Sequence, residues 1–253
     1  MASLMSAQPL LYSALAAALL GLADQARERC LRLLALGNAP AVRPFALVSN
    51  LVVHSWLRQI EYVLELQTLL EQETAQFQVP LFTAWGWIYG GWARAMLGQY
   101  AEGIGQLRRG LTEHISTGQR LGFTQYLGLL AEAQWAAGAV DEGLATIDEA
   151  LGSRISEERW HVPELLRIRA LLLASGGADA AAVEQANAEA IRAARRDGTR
   201  LFERRAATGL ARVLIAHGRR GEVGDLLAPL QASFTEGFDS VDHLDTESVL
   251  AAL

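Results

Sequence analysis

Through most of the chain, apolar and small residues return every three or four positions, and glycines break the runs. In Leu130-Ala131-Glu132-Ala133-Gln134-Trp135-Ala136-Ala137-Gly138 an apolar and small-residue face runs up to a glycine, the pattern of a helix and its C-terminal stop. The stretch from Asp141 to Leu151 repeats the spacing as a second, amphipathic helix, with acids in its first turn where the helix dipole favours them. No segment alternates polar and apolar residues long enough to make a strand. The pattern predicts an all-α protein built from helix pairs.

The pairs recur with a spacing of 40 residues. Gly98, Gly138, Ala178 and Gly218 form one rung, and Gly103, Gly143, Val183 and Val223 a second. Leu107, Ile147, Asn187 and Leu227 form a third, and Gly110, Ala150, Ala190 and Leu230 a fourth. Gly91, Ala131, Leu171 and Ala211 stay in phase upstream, as do Ala93, Ala133, Leu173 and Val213. Two looser copies precede these, with Val63 and Ala26 at the second rung. The prediction is one α-solenoid domain over 1–253, each pair burying its apolar face against its neighbours. Its helix pairs fall at about 7–37, 39–77, 80–118, 121–152, 162–198 and 201–235, with a capping helix in 237–253. The weakest links are 37–40, 152–158 and 175–178.

Composition narrows the chemistry. All 22 basic residues are arginines, which removes a P-loop lysine, a Schiff-base lysine and a Ser-Lys dyad together. The net charge of −6 is the wrong sign for a dedicated nucleic-acid binder, so no direct nucleic-acid partner is expected. Cys30 is the sole cysteine; it excludes an intrachain disulfide and reads as core packing in a helical run. The apolar stretch Pro9 to Leu22 has no basic residue before it and falls short of the ~20 residues that span a bilayer. It reads as a helix of the array, and the chain as a cytoplasmic protein without a membrane partner.

Glycine, small and large residues at these spacings look like the tetratricopeptide repeat in an elongated form, which implies a right-handed superhelix of about six helix pairs. With Gly91-Trp92-Ala93, Glu158-Arg159-Trp160 and the tail Phe234-Thr235-Glu236-Gly237-Phe238-Asp239, the chain from about Pro9 onward more specifically resembles the C-terminal helical-repeat region of large bacterial regulators. These are class III adenylate or guanylate cyclases joined to a signalling ATPase, with related repeats in transcriptional activators of the maltose-regulon type. The resemblance rests on Gly91-Trp92-Ala93, Gly103-Ile104, Leu129-Leu130-Ala131-Glu132-Ala133 and Glu158-Arg159-Trp160. Further carriers are Glu164 with Arg167, Arg205-Ala206-Ala207-Thr208, Leu210-Ala211-Arg212 and the tail Phe234-Thr235-Glu236-Gly237-Phe238-Asp239. It implies a sensor or scaffold that binds a regulatory protein or small ligand, with any catalytic module elsewhere. The metal-binding carboxylates of the cyclase and the P-loop of the ATPase are missing from this sequence. It is expected to be either a fragment of such a regulator or a stand-alone repeat protein.

Catalytic and metal sites are not expected. The histidines His54, His114, His161, His217 and His243 include no pair spaced for a helical metal site. Carboxylate pairs such as Asp141-Glu142 and Glu157-Glu158 fall at helix starts, no serine sits in a nucleophile elbow, and no cofactor is implied. What remains is the concave groove that the first helices of tetratricopeptide pairs line. Phasing the repeats places Trp56, Trp85, Trp92, Glu132, Trp135, Arg205 and Arg212 there, with Glu164 and Arg167 beside them. Large aromatics with a few charges are how binding surfaces concentrate affinity, though each tryptophan reads equally as a plug between helix pairs. Glu164 and Arg167 are placed to pair locally or to reach Arg205. The expected function is a groove that takes a protein or peptide partner. The alternatives are a small-molecule effector site and a homodimer formed through the first pair or the tail.

Overall fold

The computed structural model describes residues 4–36, 42–75, 79–153 and 159–253. These hold thirteen α-helices and no strand. They are α1 (Leu4–Leu19), α2 (Ala23–Leu36), α3 (Arg43–Trp56), α4 (Ile60–Thr74), α5 (Pro80–Met96), α6 (Tyr100–Ser116) and α7 (Phe123–Ala136). Then follow α8 (Val140–Gly152), α9 (Val162–Ser175), α10 (Ala180–Asp197), α11 (Arg200–Ala216), α12 (Arg220–Gln231) and α13 (Val241–Leu250). Each expected pair contains two of these helices, although α1 starts at Leu4, and the expected cap is α13. The link 37–40, most of the link 152–158, and the Glu157-Glu158 pair lie outside the described residues.

One turn, used six times, explains the pairing. After each odd helix up to α11 a residue takes left-handed backbone: Gly21, Gly98, Gly138, Gly177 and Gly218, and Arg58 after α3. The next N–H then bonds back into the last helical turn, as in Gln99 to Arg94 O at 3.0 Å and Arg219 to Leu214 O at 2.9 Å. A strict 40-residue rung puts Ala178 at this position, but the turn residue is Gly177. The fifth link is one residue longer, and Asp179 uses that residue to cap α10, accepting from Ala182 N at 2.7 Å. The extra residue returns Val183 to phase.

Small residues then set how closely helices approach. A Cβ on Gly91 would lie 2.6 Å from Gly103 O, and one on Gly103 2.5 Å from Gly91 O, so the backbones of α5 and α6 touch. Around such contacts Val63, Leu107, Ile147, Val223 and Leu227 are wholly buried, each contributing roughly 1.5–3 kcal/mol of apolar transfer.

Every odd helix packs closely on the next odd one as well as on its sequence neighbours, whereas α2, α4, α6, α8, α10 and α12 pack closely on sequence neighbours, with the exposed Arg108–Glu142 ion pair reaching from α6 to α8. Odd helices therefore form the inner row of a curved stack and even helices the outer row. The curvature brings the two ends together. α1 packs on α11, and Ala14, Ala17 and Ala18 share a cluster with Trp56, Leu201 and Phe202. The Phe234 ring fills the space at Gly21, where a Cβ would be 2.3 Å from it, and the Arg204 guanidinium lies over the ring at 3.2 Å from its centroid. Beside it Glu236 accepts from the backbone and side chain of Gln25, both at 3.0 Å, and Asp239 accepts from Arg27 at 2.9 Å.

Candidate functional site

The inner row converges on a buried cluster of three carboxylates and three guanidiniums. Glu132 of α7 accepts from Arg58 at 2.6 Å and Arg167 at 2.8 Å on one oxygen, and from the Trp92 indole at 2.9 Å on the other. Glu164 of α9 accepts from Arg167 Nε at 2.8 Å and Nη2 at 2.9 Å, and from Arg205 at 3.0 Å. Asp242 of α13 accepts two bonds from Arg205 of α11, at 2.7 and 2.8 Å, with Arg58 Nε 3.8 Å away. Arg205 also donates to the Trp56 carbonyl. Side-chain exposure is 4% for Glu132, 7% for Arg167 and 7% for Arg205, so these are desolvated pairs in which each charge needs its partners.

The electrostatics follow from that geometry. Burial alone would raise the Glu132 carboxyl, but Arg58 and Arg167 outweigh it and hold it down at about 2. Glu164 is likewise held far below the usual carboxylate range, burial being overcome by Arg167 and Arg205. His161 sits against Trp160 and Phe202, with ring centroids 5.0 and 5.4 Å away, and burial pushes it down to about 4. It is a neutral ring beside the cluster, and its Nδ1 has no partner among the described residues.

The sequence-predicted site residues divide into three groups. Trp92, Glu132, Glu164, Arg167 and Arg205 meet in the cluster, and both pairings foreseen for Glu164 are present. Trp56 is buried against Trp160 and Phe202, at centroid distances of 5.1 and 6.5 Å, and meets the cluster through its backbone. Trp85 lies elsewhere, half-buried by Phe82 and His114. Trp135 and Arg212 stand at the edge: Trp135 donates to Ser175 at 2.9 Å, and Arg212 is exposed and paired with Asp245. The concave side is thus filled where an open groove was expected, since Trp92, the ion pairs and His161 occupy it. The space left between Trp56, Trp92, His161 and Glu164 is about 20 Å³, too small for a peptide. A larger cavity of about 230 Å³ opens beside it, lined by Trp135, Arg167, Asn187, Arg205, Gly209 and Arg212 with residues of α13.

Two members of the cluster escaped the sequence reading. Arg58 stands 40 residues before Gly98, on the turn rung, and an arginine where a glycine is due was the available signal. Its φ of +55° costs roughly 1–2 kcal/mol for a side chain with a Cβ, and the ion pair with Glu132 offsets it. Asp242 carried no signal, because its partners come from α11 and from the α3–α4 turn. Among the described residues no helix is long and apolar enough to cross a membrane. No protein-family model matches the chain, and no curated protein matches it either.

Proposed function

We propose that this chain is a cytoplasmic protein-interaction module of a bacterial signalling or transcription regulator. On this reading the helix pairs are six tetratricopeptide-like repeats wound as a right-handed superhelix and finished by α13. The partner contributes an acidic helical segment, taken on the inner wall of α11 where α13 lies.

One observation carries the reading: α13 is held by its polar face. Asp242 sits on Arg205, Thr246 on Thr208 at 2.9 Å, and Asp245 on Arg212, three contacts along one face of each helix. Val249 is buried, but Val241 and Leu244 are about half exposed, so charge and hydrogen bonds do much of the holding. A partner helix with carboxylates three residues apart would meet the same groups.

The test uses a labelled peptide of residues 238–253 and the full-length Asp242→Ala/Asp245→Ala variant, with helicity monitored by circular dichroism. Released from its own contacts, the variant should bind the peptide at least roughly tenfold more tightly than the unaltered chain, about 1.4 kcal/mol. Adding Arg212→Glu should reverse the gain. Equal or absent binding by both proteins would refute the reading.

A further inference from the structure

The larger cavity exists because one repeat breaks the pattern of the others. On the third rung Leu107, Ile147 and Leu227 are wholly buried apolar residues, but the fifth pair carries Asn187 there. Opposite it stands Gly209, nine residues before its turn glycine, where α5, α7 and α9 carry Tyr89, Leu129 and Ile168 at the same distance from theirs. A Cβ on Gly209 would lie 2.8 Å from Asn187 Oδ1, so the two residues face each other. With two large side chains missing, a cavity of about 230 Å³ remains between α9, α10, α11 and α13. That is roughly the liquid volume of eight waters, and below the ~300–1,000 Å³ typical of drug-sized sites. Departures from a repeat that open space rather than fill it are where function is expected.

The walls specify the chemistry of an occupant. Trp135 and Leu171 give a flat apolar side. Arg167 reaches the cavity with its position fixed by three bonds to Glu132 and Glu164, all through Nε and Nη2. Its Nη1 has no partner among the described residues, an unused donor on a side chain that is 7% exposed. Arg212 lies at the rim, and its pair with Asp245 is open to water, the two side chains being 51% and 44% exposed. Such exposed pairs are weak and easily exchanged. Arg58 and Arg205, by contrast, are committed to Glu132, Glu164 and Asp242.

We infer that this cavity binds a small organic anion, a carboxylate or phosphate monoester carried on a flat apolar body of about nine to eleven non-hydrogen atoms. The anion takes the place of Asp245 on Arg212 and accepts from Arg167 Nη1, while the body lies along Trp135 over Asn187 and Gly209. The inference is independent of the partner reading: it requires α13 in place as a wall, whereas the partner reading requires α13 displaced.

Calorimetric melting of the full chain tests it with three probes: benzoate, phenyl phosphate and the neutral benzyl alcohol. One or both anions should raise Tm in a saturable way, and benzyl alcohol should not. A response to benzoate alone assigns a carboxylate, and one to phenyl phosphate alone assigns a phosphate monoester. Asn187→Leu, which refills the rung as in the other repeats, should abolish the shift. Arg212→Met should weaken it at least roughly tenfold, as expected for a lost hydrogen bond to a charged group. Arg212 is on the surface, so that variant carries the test if Asn187→Leu does not fold. No shift with either anion would overturn the inference, as would a shift unchanged in Arg212→Met.

Discussion

Between α5 and α6 nothing separates the two backbones: Gly91 and Gly103 face each other in van der Waals contact, and the charges that join the two helices, Arg94 with Glu102 and Arg109 over Trp87, lie outside that contact. In the centre of the stack, Glu132, Glu164 and Asp242 are held apart from one another by Arg58, Arg167 and Arg205, and almost every contact is a charged hydrogen bond. The first interface joins residues about twelve positions apart; the second joins helices from across the chain. Shape therefore builds each pair, and charge fixes how the pairs are arranged around a common interior. A packed glycine contact tolerates no addition. A desolvated ion cluster tolerates no subtraction, since each deletion leaves a charge without a partner.

Three experiments would break or sharpen this contrast. The largest effect is expected from Gly103→Val, whose side chain would meet the Gly91 carbonyl and the Ala95 backbone within 2.6 Å. Backbone cannot move aside as a side chain can, so a loss of more than about 4 kcal/mol is expected. A cooperative melt near that of the unaltered chain would show that the two helices can slide apart.

Glu132→Gln comes next. It keeps the shape but leaves the buried Arg167 and the partly exposed Arg58 without that carboxylate, at an expected cost of about 3 kcal/mol by urea unfolding. Adding Arg58→Gly should recover part of the loss, because it removes a charge that has lost its nearest partner and gives the turn the residue its φ favours. Strict additivity of the two variants would mean that the cluster is not a coupled unit.

The smallest of the three is a pH effect. His161 holds a folded-state value of about 4, below the 6.5 of an unperturbed histidine, because burial disfavours its cation. As pH falls below 6.5 the unfolded chain takes up a proton that the folded chain refuses, so stability declines until about pH 4. His161 alone accounts for about 3 kcal/mol of that decline. Glu132, held at about 2, works in a lower window: its contribution is complete above pH 4.5 and is lost as pH approaches 2. His161→Gln should flatten the upper part of the stability–pH curve, leaving the slope from His54, His114 and His243, which burial also lowers. An unchanged slope in that variant would place the acid sensitivity elsewhere.

The helix pairs were legible in the sequence because their determinants are local. A turn glycine, a small residue and a buried large residue all act within one forty-residue unit, and repetition averages out the exceptions. Cys30 was legible for the same reason: it lies on a buried helical face, and burial pushes its thiol up to about 12, away from reactivity. Glu164 and Arg167 were readable as helical neighbours. What the sequence did not reveal is how far the stack curves. A small rotation between units, summed over the array, decides whether the concave side is an open groove or a closed interior. That sum brings Asp24 onto the backbone of Gly237, 213 residues away, and turns the expected binding wall of Trp92, Glu132 and Arg205 into core.

The meeting of α1 and α2 with the segment around Phe234 has a consequence for the history and engineering of such a chain. An array with two free ends can gain or lose a unit and remain itself, because each unit answers only to the next. Here an inserted or deleted forty-residue unit would carry Gly21 away from Phe234 and Gln25 away from Glu236. Among the described residues the helices thus meet a closure condition, as the staves of a cask do, that adding or removing a pair would break. Substitution within a unit leaves those contacts in place, and neither the α1–α2 pair nor the segment around Phe234 can peel away without breaking its hold on the other.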